Sequence, residues 1–148
     1  MTGHEANLSI NAVLVIDDER TFPELRGARY ARTVAEAIDA LSEDVRWSEV
    51  WWDHDLGDGQ DSMQIVAWMD AAQAQYRDDE SRWIGEMMQP RPLFFRRRPD
   101  PQPPRLAYRC GQHFVHTMNP VGAARLVAAL RWHSTSVQRV TLPEVAHA

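Results

Sequence analysis

Short apolar runs alternate along the chain with stretches of helical periodicity. The run AVLVI, residues 12–16, is continuous, rich in β-branched side chains and ended by two aspartates, which predicts a strand buried on both faces. A second short strand, ARYAR, follows a loop that contains Pro23 and Gly27. Residues 33–41 then place four apolar side chains on one helical face behind the cap Thr33. The pattern therefore opens as strand, strand, helix.

The same alternation continues toward the end of the chain. WSEVWW predicts a third strand, DGQDSMQIVAWMDAAQAQ a second helix from about Asp61, and CGQHFVHTM a fourth strand. Asn119 is a predicted N-cap and Pro120 the first residue of a third helix, which continues as VGAARLVAALRW. TSVQRVTL predicts the last strand. Strands alternating with helices are typical of βαβ units. We therefore expect an α/β fold with five parallel strands, covered on both sides, in one domain over residues 1–148.

One segment interrupts this alternation. Residues 78–106 contain a series of prolines from Pro90 to Pro104, which exclude a continuous helix and most central strands. The segment is predicted to be a long, partly polyproline-like insertion between the second helix and strand four. Its 90–105 loop is a candidate contact for an anion or a protein partner, and the alternative is a solvated basic loop pinned by its aromatic residues. The residues concerned are Phe94, Phe95, Arg96, Arg97 and Arg98.

Charge and composition narrow the function classes. A formal charge of -5 and a pI near 5.6 argue against generic binding to DNA or another polyanion. No apolar run approaches the ~20 residues that a membrane span needs, so we expect a cytoplasmic protein without membrane contact. Cys110 is the only cysteine, which excludes an internal disulfide and disfavours a cysteine-based zinc site. All 16 basic residues are arginines, so no lysine is available for chemistry.

Polar side chains follow three of the predicted strands. Because the carboxyl ends of parallel strands meet at one edge, these side chains should share a crevice. Convergent carboxylates there require a cation or a proton, and oxygen ligands suit Mg²⁺ or Mn²⁺. Asp17, Asp18 and Asp53 are the predicted metal ligands. The full set comprises Asp17 and Asp18 after strand one, Asp53, His54 and Asp55 after strand three, and His116, Thr117 and Asn119 after strand four.

Each of these residues also has a structural interpretation. The paired aspartates of strand one could simply begin a turn. Asp55 could cap the turn before Gly57, and Asn119 could cap the third helix. The two histidines and Thr117 could satisfy neighbouring polar groups at the strand ends, and both sets of interpretations remain open at this level.

The paired acids of VLVIDDE, an aspartate after strand three and a threonine after strand four resemble the response-regulator receiver domain. This resemblance implies a flavodoxin-like, doubly wound sheet in the order 2-1-3-4-5. The chain departs from the receiver pattern in its shortened first crossover. Receivers carry a lysine near the end of strand five, whereas this chain has Leu142 before Pro143 and no lysine anywhere. Ordinary phosphotransfer signalling is therefore not expected.

A closer resemblance lies in four motifs taken in order: VIDDER, TVAEAI, DHDLG and HTMNP. Together they resemble the receiver-derived family of cyclic-phosphate processing receivers. The resemblance implies that His54 and His116 act as catalytic groups beside the metal site. It also implies hydrolysis of a cyclic phosphate on a small nucleotide or RNA end.

That chemistry requires an activated water, a proton for the leaving oxygen and stabilisation of the phosphate charge. Thr117, Asn119 and Asp55 are the candidate phosphate or substrate contacts. The alternative function is a non-catalytic module that binds a protein or senses a nucleotide.

Overall fold

The computed structural model describes residues 12–43, 45–89 and 111–141. Within these ranges the chain forms a five-stranded sheet in the order β2-β1-β3-β4-β5, and every neighbouring pair is parallel. The predicted receiver-like α/β fold and its strand order are confirmed. The elements are β1 (Ala12–Ile16), β2 (Arg29–Ala31), α1 (Val34–Ser42), β3 (Trp47–Trp52), α2 (Ser62–Met88), β4 (Gln112–Val115), α3 (Pro120–Leu130) and β5 (Val137–Arg139).

The main core lies between the sheet and a layer of helices. Leu14 and Ile16 of β1 pair in register with Val50 and Trp52 of β3, and all four side chains are fully buried. Apolar residues of α1, α2 and α3 join the same cluster, and α2 contacts both other helices. All three helices of the described ranges therefore cover one face of the sheet.

A loop contributes to the cover of the other face. The connection from β1 to β2 runs in the opposite direction to the later ones, so a right-handed crossover places it on the opposite side of the sheet. No helix forms in this connection, residues 17–28. Phe22 of this loop packs against Trp51, with ring centroids 6.3 Å apart, and Trp51 stacks on Phe114 at 4.6 Å. The shortened crossover thus brings a loop, rather than a helix, to the edge where β1 and β3 end.

Helix α2 is longer than the sequence indicated. It runs to Met88, so the prediction of a non-helical excursion was wrong for residues 78–88. This stretch contains no proline and several good helix formers, and the prolines begin only at Pro90. The remaining part of the predicted insertion lies outside the described residues. It includes the candidate partner-binding residues Phe94, Phe95, Arg96, Arg97 and Arg98.

No helix of the described ranges is long and apolar enough to cross a membrane.

Strand β4 carries a buried histidine, His113. Trp52 donates a hydrogen bond from Nε1 to Nδ1 of His113, over 3.1 Å, so the imidazole serves as a neutral acceptor. Burial, together with the charge of nearby His133, lowers the pKa of His113 to about 4. The folded chain therefore resists protonation at a site that the unfolded chain protonates near pH 6.5.

We expect the free energy of unfolding to fall as the pH drops from ~6.5 toward ~4, because the unfolded state binds the extra proton in that window. The loss attributable to His113 should be at most about 3 kcal/mol. Urea unfolding at a series of pH values measures it. His113→Asn keeps a hydrogen-bond acceptor without the titration and should flatten the dependence. An equal slope in the variant would assign the effect to other groups.

Candidate functional site

An open pocket of about 320 Å³ lies where β1, β3 and β4 end. Parallel strands bring their carboxyl ends to one edge, which is why residues distant in the chain meet here. The pocket wall is strongly acidic. It is lined by Asp18, Glu19, Arg20, Asp53, Asp55, Gly57, Thr117, Met118 and Asn119.

Three carboxylates converge at this pocket, and two of them, Asp18 and Asp53, line it. Asp17, Asp18 and Asp53 each present one oxygen, and the three oxygens lie within 4.8 Å of one another. Asp17 and Asp53 are buried, whereas Asp18 is partly exposed beside the pocket. Oxygen ligands at this spacing suit a hard divalent cation. The structure thus brings together the three residues that were predicted to bind metal.

Asp17 is held firmly in its ionised form. One carboxylate oxygen, Oδ1, accepts hydrogen bonds from the backbone amides of Glu19 at 2.9 Å and Arg20 at 2.7 Å. The other, Oδ2, lies 3.0 Å from Nε2 of His116. Burial acts to raise the pKa of Asp17, but the hydrogen bonds with His116, Arg20 and Glu19 outweigh it and hold the pKa below its usual value. Since the ionised carboxylate only accepts, Nε2 of His116 carries the hydrogen.

The ionised form of Asp53 is disfavoured in the folded chain. Burial is the largest influence and raises the pKa of Asp53, and the neighbouring charge of Asp17 raises it further. A hydrogen bond from Thr117 and the charge of Arg20 oppose this shift, but the net pKa stays above its usual value. A metal cation bound beside Asp53, in addition to the charge of Arg20, would therefore favour the ionised form of Asp53.

His116 lies behind Asp17 rather than in the pocket wall. Its side chain is fully buried, with the ring of Phe22 edge-on at 5.1 Å and that of Trp51 at 6.3 Å. Among the described residues, none hydrogen-bonds to its other nitrogen, Nδ1. The aromatic packing and the Asp17 contact together fix the orientation of the imidazole.

His54 lies behind a different carboxylate. Its Nδ1 is 3.0 Å from Oδ1 of Asp55, and this hydrogen bond is the main reason that the pKa of Asp55 lies below its usual value. The imidazole packs against the start of α3 at Gly122, where a Cβ atom would come within 2.6 Å of its Cγ. Only glycine therefore leaves room for this histidine. Like His116, His54 does not line the pocket.

Asn119 connects the end of β3 to helix α3. Its side-chain oxygen accepts from the amide of Gly122 at 2.9 Å, and its side-chain nitrogen donates to Oδ2 of Asp55 at 3.3 Å. The capping interpretation of Asn119 is therefore confirmed, and the same side chain also lines the pocket. Thr117 accepts a hydrogen bond from the Asn119 amide at 3.2 Å and donates one to Asp53.

Four pocket residues, Glu19, Arg20, Gly57 and Met118, were not recognised from the sequence, and two of them lie against the acidic cluster. Arg20 lies 3.7 Å from both Asp17 and Asp53, and its sequence signal is an arginine three residues after the first acid of a strand-ending pair. Gly57 has a φ of 73°, and a Cβ atom there would lie 3.0 Å from Oδ2 of Asp18. Glycine at this turn thus allows the β3–α2 loop to approach the acidic cluster.

An all-parallel sheet in this strand order, with carboxylates after β1 and β3 and a threonine after β4, defines a receiver-like domain. Residues 12–84 match the family model of the cyclic-phosphate processing receiver domain. The family indicated by the sequence motifs is therefore confirmed over that stretch, which supports a role in processing cyclic phosphates. The matched residues include Asp17, Asp18, Asp53 and His54, whereas His116 lies beyond them.

The other comparisons add little. No curated protein matches the chain in sequence. One solved structure that matches is described as the yeast Spc42 trimeric coiled-coil, amino acids 181–211, fused to another structure. It is 12% identical, and the alignment covers 90% of this chain and 71% of that one with a TM-score of 0.43.

Proposed function

We propose that the domain is a metal-dependent phosphoesterase that hydrolyses a cyclic phosphate on a small nucleotide or an RNA end. The observation that carries the proposal is the convergence of three carboxylate oxygens within 4.8 Å at an open pocket. The family match over residues 12–84 supports the substrate class. The arrangement fits phosphate chemistry because it offers both a cation site and hydrogen-bonding side chains around one cavity.

Asp17, Asp18 and Asp53 would hold Mg²⁺ or Mn²⁺. The raised pKa of Asp53 fits this assignment, because a bound cation would offset the cost of ionising a buried carboxyl beside Asp17. When bound, such an ion supplies Lewis-acid polarisation of a phosphate oxygen.

The chain's own residues position the substrate phosphate. Thr117 and Asn119 line the pocket next to the acidic cluster. The Asn119 amide has a second N–H beyond the one that it donates to Asp55, and the Thr117 hydroxyl would leave Asp53 to donate to a phosphate. Helix α3 begins at the same place, and the partial positive charge of a helix N-terminus favours an anion. Because Pro120 lacks an amide hydrogen, Val121 carries the first amide donor of this helix.

The two histidines support the carboxylates in this arrangement. His116 holds Asp17, and His54 holds Asp55, and both imidazoles lie behind the pocket wall. Their geometry fits a role in orienting and ionising these carboxylates. Direct proton exchange between either histidine and the substrate stays a prediction from the sequence.

The size and charge of the pocket favour a small substrate. About 320 Å³ is near the lower end of the range for ligand pockets, which suits a mononucleotide or a terminal ribose phosphate. The net charge of -5 does not favour extended contact with a nucleic acid. We therefore expect an RNA substrate to be recognised only at its end.

The test is turnover of a panel of 2′,3′-cyclic and 3′,5′-cyclic nucleotides and a cyclic phosphate of ADP-ribose. Each is assayed with Mg²⁺, with Mn²⁺ and with EDTA. We expect hydrolysis with metal and a loss of at least ~100-fold on chelation, restored by adding metal back. Undiminished turnover in EDTA would contradict the metal requirement. No turnover of any substrate, with no Mg²⁺ binding by calorimetry, would contradict the phosphoesterase.

A further inference from the structure

Arg20 provides the positive charge of the pocket wall. Among the described residues that line the pocket, every other charged side chain is a carboxylate. The guanidinium Nε lies 3.7 Å from Oδ2 of Asp17, and Nη2 lies 3.7 Å from Oδ2 of Asp53. Both distances are longer than a hydrogen bond, so these carboxylates attract the guanidinium without engaging its N–H donors. About a third of the side chain, 36%, is exposed.

The backbone at Arg20 is fixed more tightly than the side chain. Its amide donates to Oδ1 of Asp17 at 2.7 Å, and its carbonyl accepts from Nη1 of Arg32. The same Arg32 nitrogen also donates to the carbonyl of Asp17 at 3.0 Å. The loop therefore holds the base of Arg20 beside the acidic cluster, while the guanidinium can change its partners.

A divalent cation and the Arg20 guanidinium compete for the same two carboxylates. An ion held by Asp17 and Asp53 would neutralise their attraction for Arg20 and repel the guanidinium. A guanidinium displaced in this way needs another anion, and its planar set of donors matches two oxygens of a phosphate group. The chain has no lysine that could bind the phosphate in place of Arg20.

We infer that Arg20 is the cation that binds the substrate phosphate, and that metal binding releases it from Asp17 and Asp53 to do so. The inference rests on the proposed phosphoesterase function. To that function the inference adds Arg20 as a specificity-determining residue, and it adds an order in which metal binding precedes phosphate binding. Metal and phosphate binding are then coupled through one side chain, and this coupling can be measured without turnover.

The experiment is calorimetric titration with Mg²⁺ alone, and with inorganic phosphate before and after saturation with Mg²⁺. Arg20→Gln removes the charge, and Arg20→Lys keeps the charge without the planar donors. The matched control is Arg26→Gln, an exposed arginine of the same loop that does not line the pocket. Thermal unfolding of each variant verifies that it is folded.

Arg20→Gln should affect the two ligands in opposite directions. Mg²⁺ should bind roughly three- to tenfold more tightly, because a competing cation is gone. Phosphate in the presence of Mg²⁺ should bind roughly ten- to a hundredfold more weakly, because charge-assisted hydrogen bonds are lost. Arg20→Lys should return the Mg²⁺ affinity to that of the native chain and recover only part of the phosphate affinity. Arg26→Gln should change neither.

The outcomes separate this inference from the proposed function. A native chain that binds neither Mg²⁺ nor phosphate overturns both. If the native chain binds both ligands but Arg20→Gln binds phosphate equally well, only the role of Arg20 is overturned. Weaker binding of both ligands by Arg20→Gln would make the arginine a structural support of the cluster and would also overturn the inference.

Discussion

Asp53→Asn should reduce metal-dependent turnover of a cyclic phosphate by at least ~1,000-fold and weaken Mg²⁺ binding by at least ~100-fold. Asp53 is a buried member of the acidic cluster, directly after β3, and lies close to both Asp17 and Asp18. Asparagine keeps the size of the side chain and one carbonyl oxygen, so the pocket should retain its shape. The lost charge is therefore what the assay reports.

The same substitution should make the metal-free protein more stable at neutral pH. The pKa of Asp53 is raised in the folded state, mainly by burial and also by Asp17, so ionising this carboxyl opposes folding above its usual pKa. Asparagine removes that cost. Below the usual carboxyl pKa, where Asp53 is protonated in both states, the difference in unfolding free energy between variant and native chain should disappear.

The matched control for Asp53 is Asp58→Asn. Asp58 is an exposed aspartate of the β3–α2 loop that does not line the pocket, and its positive φ of 49° is well tolerated by asparagine. The Asp58→Asn substitution should leave turnover and Mg²⁺ affinity unchanged. Asp53→Asn with native Mg²⁺ affinity would remove Asp53 from the metal site.

His116→Ala should lower the free energy of unfolding by about 3–5 kcal/mol. The imidazole is fully buried and donates to the buried carboxylate of Asp17, so truncation leaves a buried charge without this partner and opens a cavity beside Phe22. Urea unfolding at neutral pH measures the loss. His116→Gln can place an amide donor near the position of Nε2 and should recover a large part of the stability.

Turnover by His116→Gln distinguishes two roles for this histidine. If His116 only positions Asp17, the variant should keep Mg²⁺ binding and stay within about tenfold of native turnover. If His116 exchanges protons with the substrate, turnover should fall by at least ~100-fold although the metal still binds. His113→Asn, a change at a buried histidine of β4, serves as the control that should not alter Mg²⁺ affinity.

The strands and the meeting of the acids could be predicted from sequence because both follow from local pattern. A continuous β-branched run such as residues 12–16 predicts a buried strand, and parallel strands necessarily end at the same edge. Asp17, Asp18 and Asp53 converge for that reason. The cap at Asn119 was equally readable, since a capping residue followed by proline marks a helix start.

The direction of the histidines could not be predicted in the same way. A side chain that follows a strand can turn toward the pocket or away from it, and the partners that decide this are distant in the chain. Phe22 and Asp17 fix His116, and Gly122 and Asp55 fix His54. Arg20 was missed because its role depends on the folding back of a loop that has no periodic pattern.

The close fit between Gly122 and His54 also restricts how this sequence can vary. Every amino acid other than glycine carries a Cβ atom, and at position 122 that atom would overlap the imidazole. A substitution at position 122 is therefore acceptable only after position 54 has become smaller. The order of change is therefore fixed, and a library that randomises position 122 alone would sample almost only defective sequences.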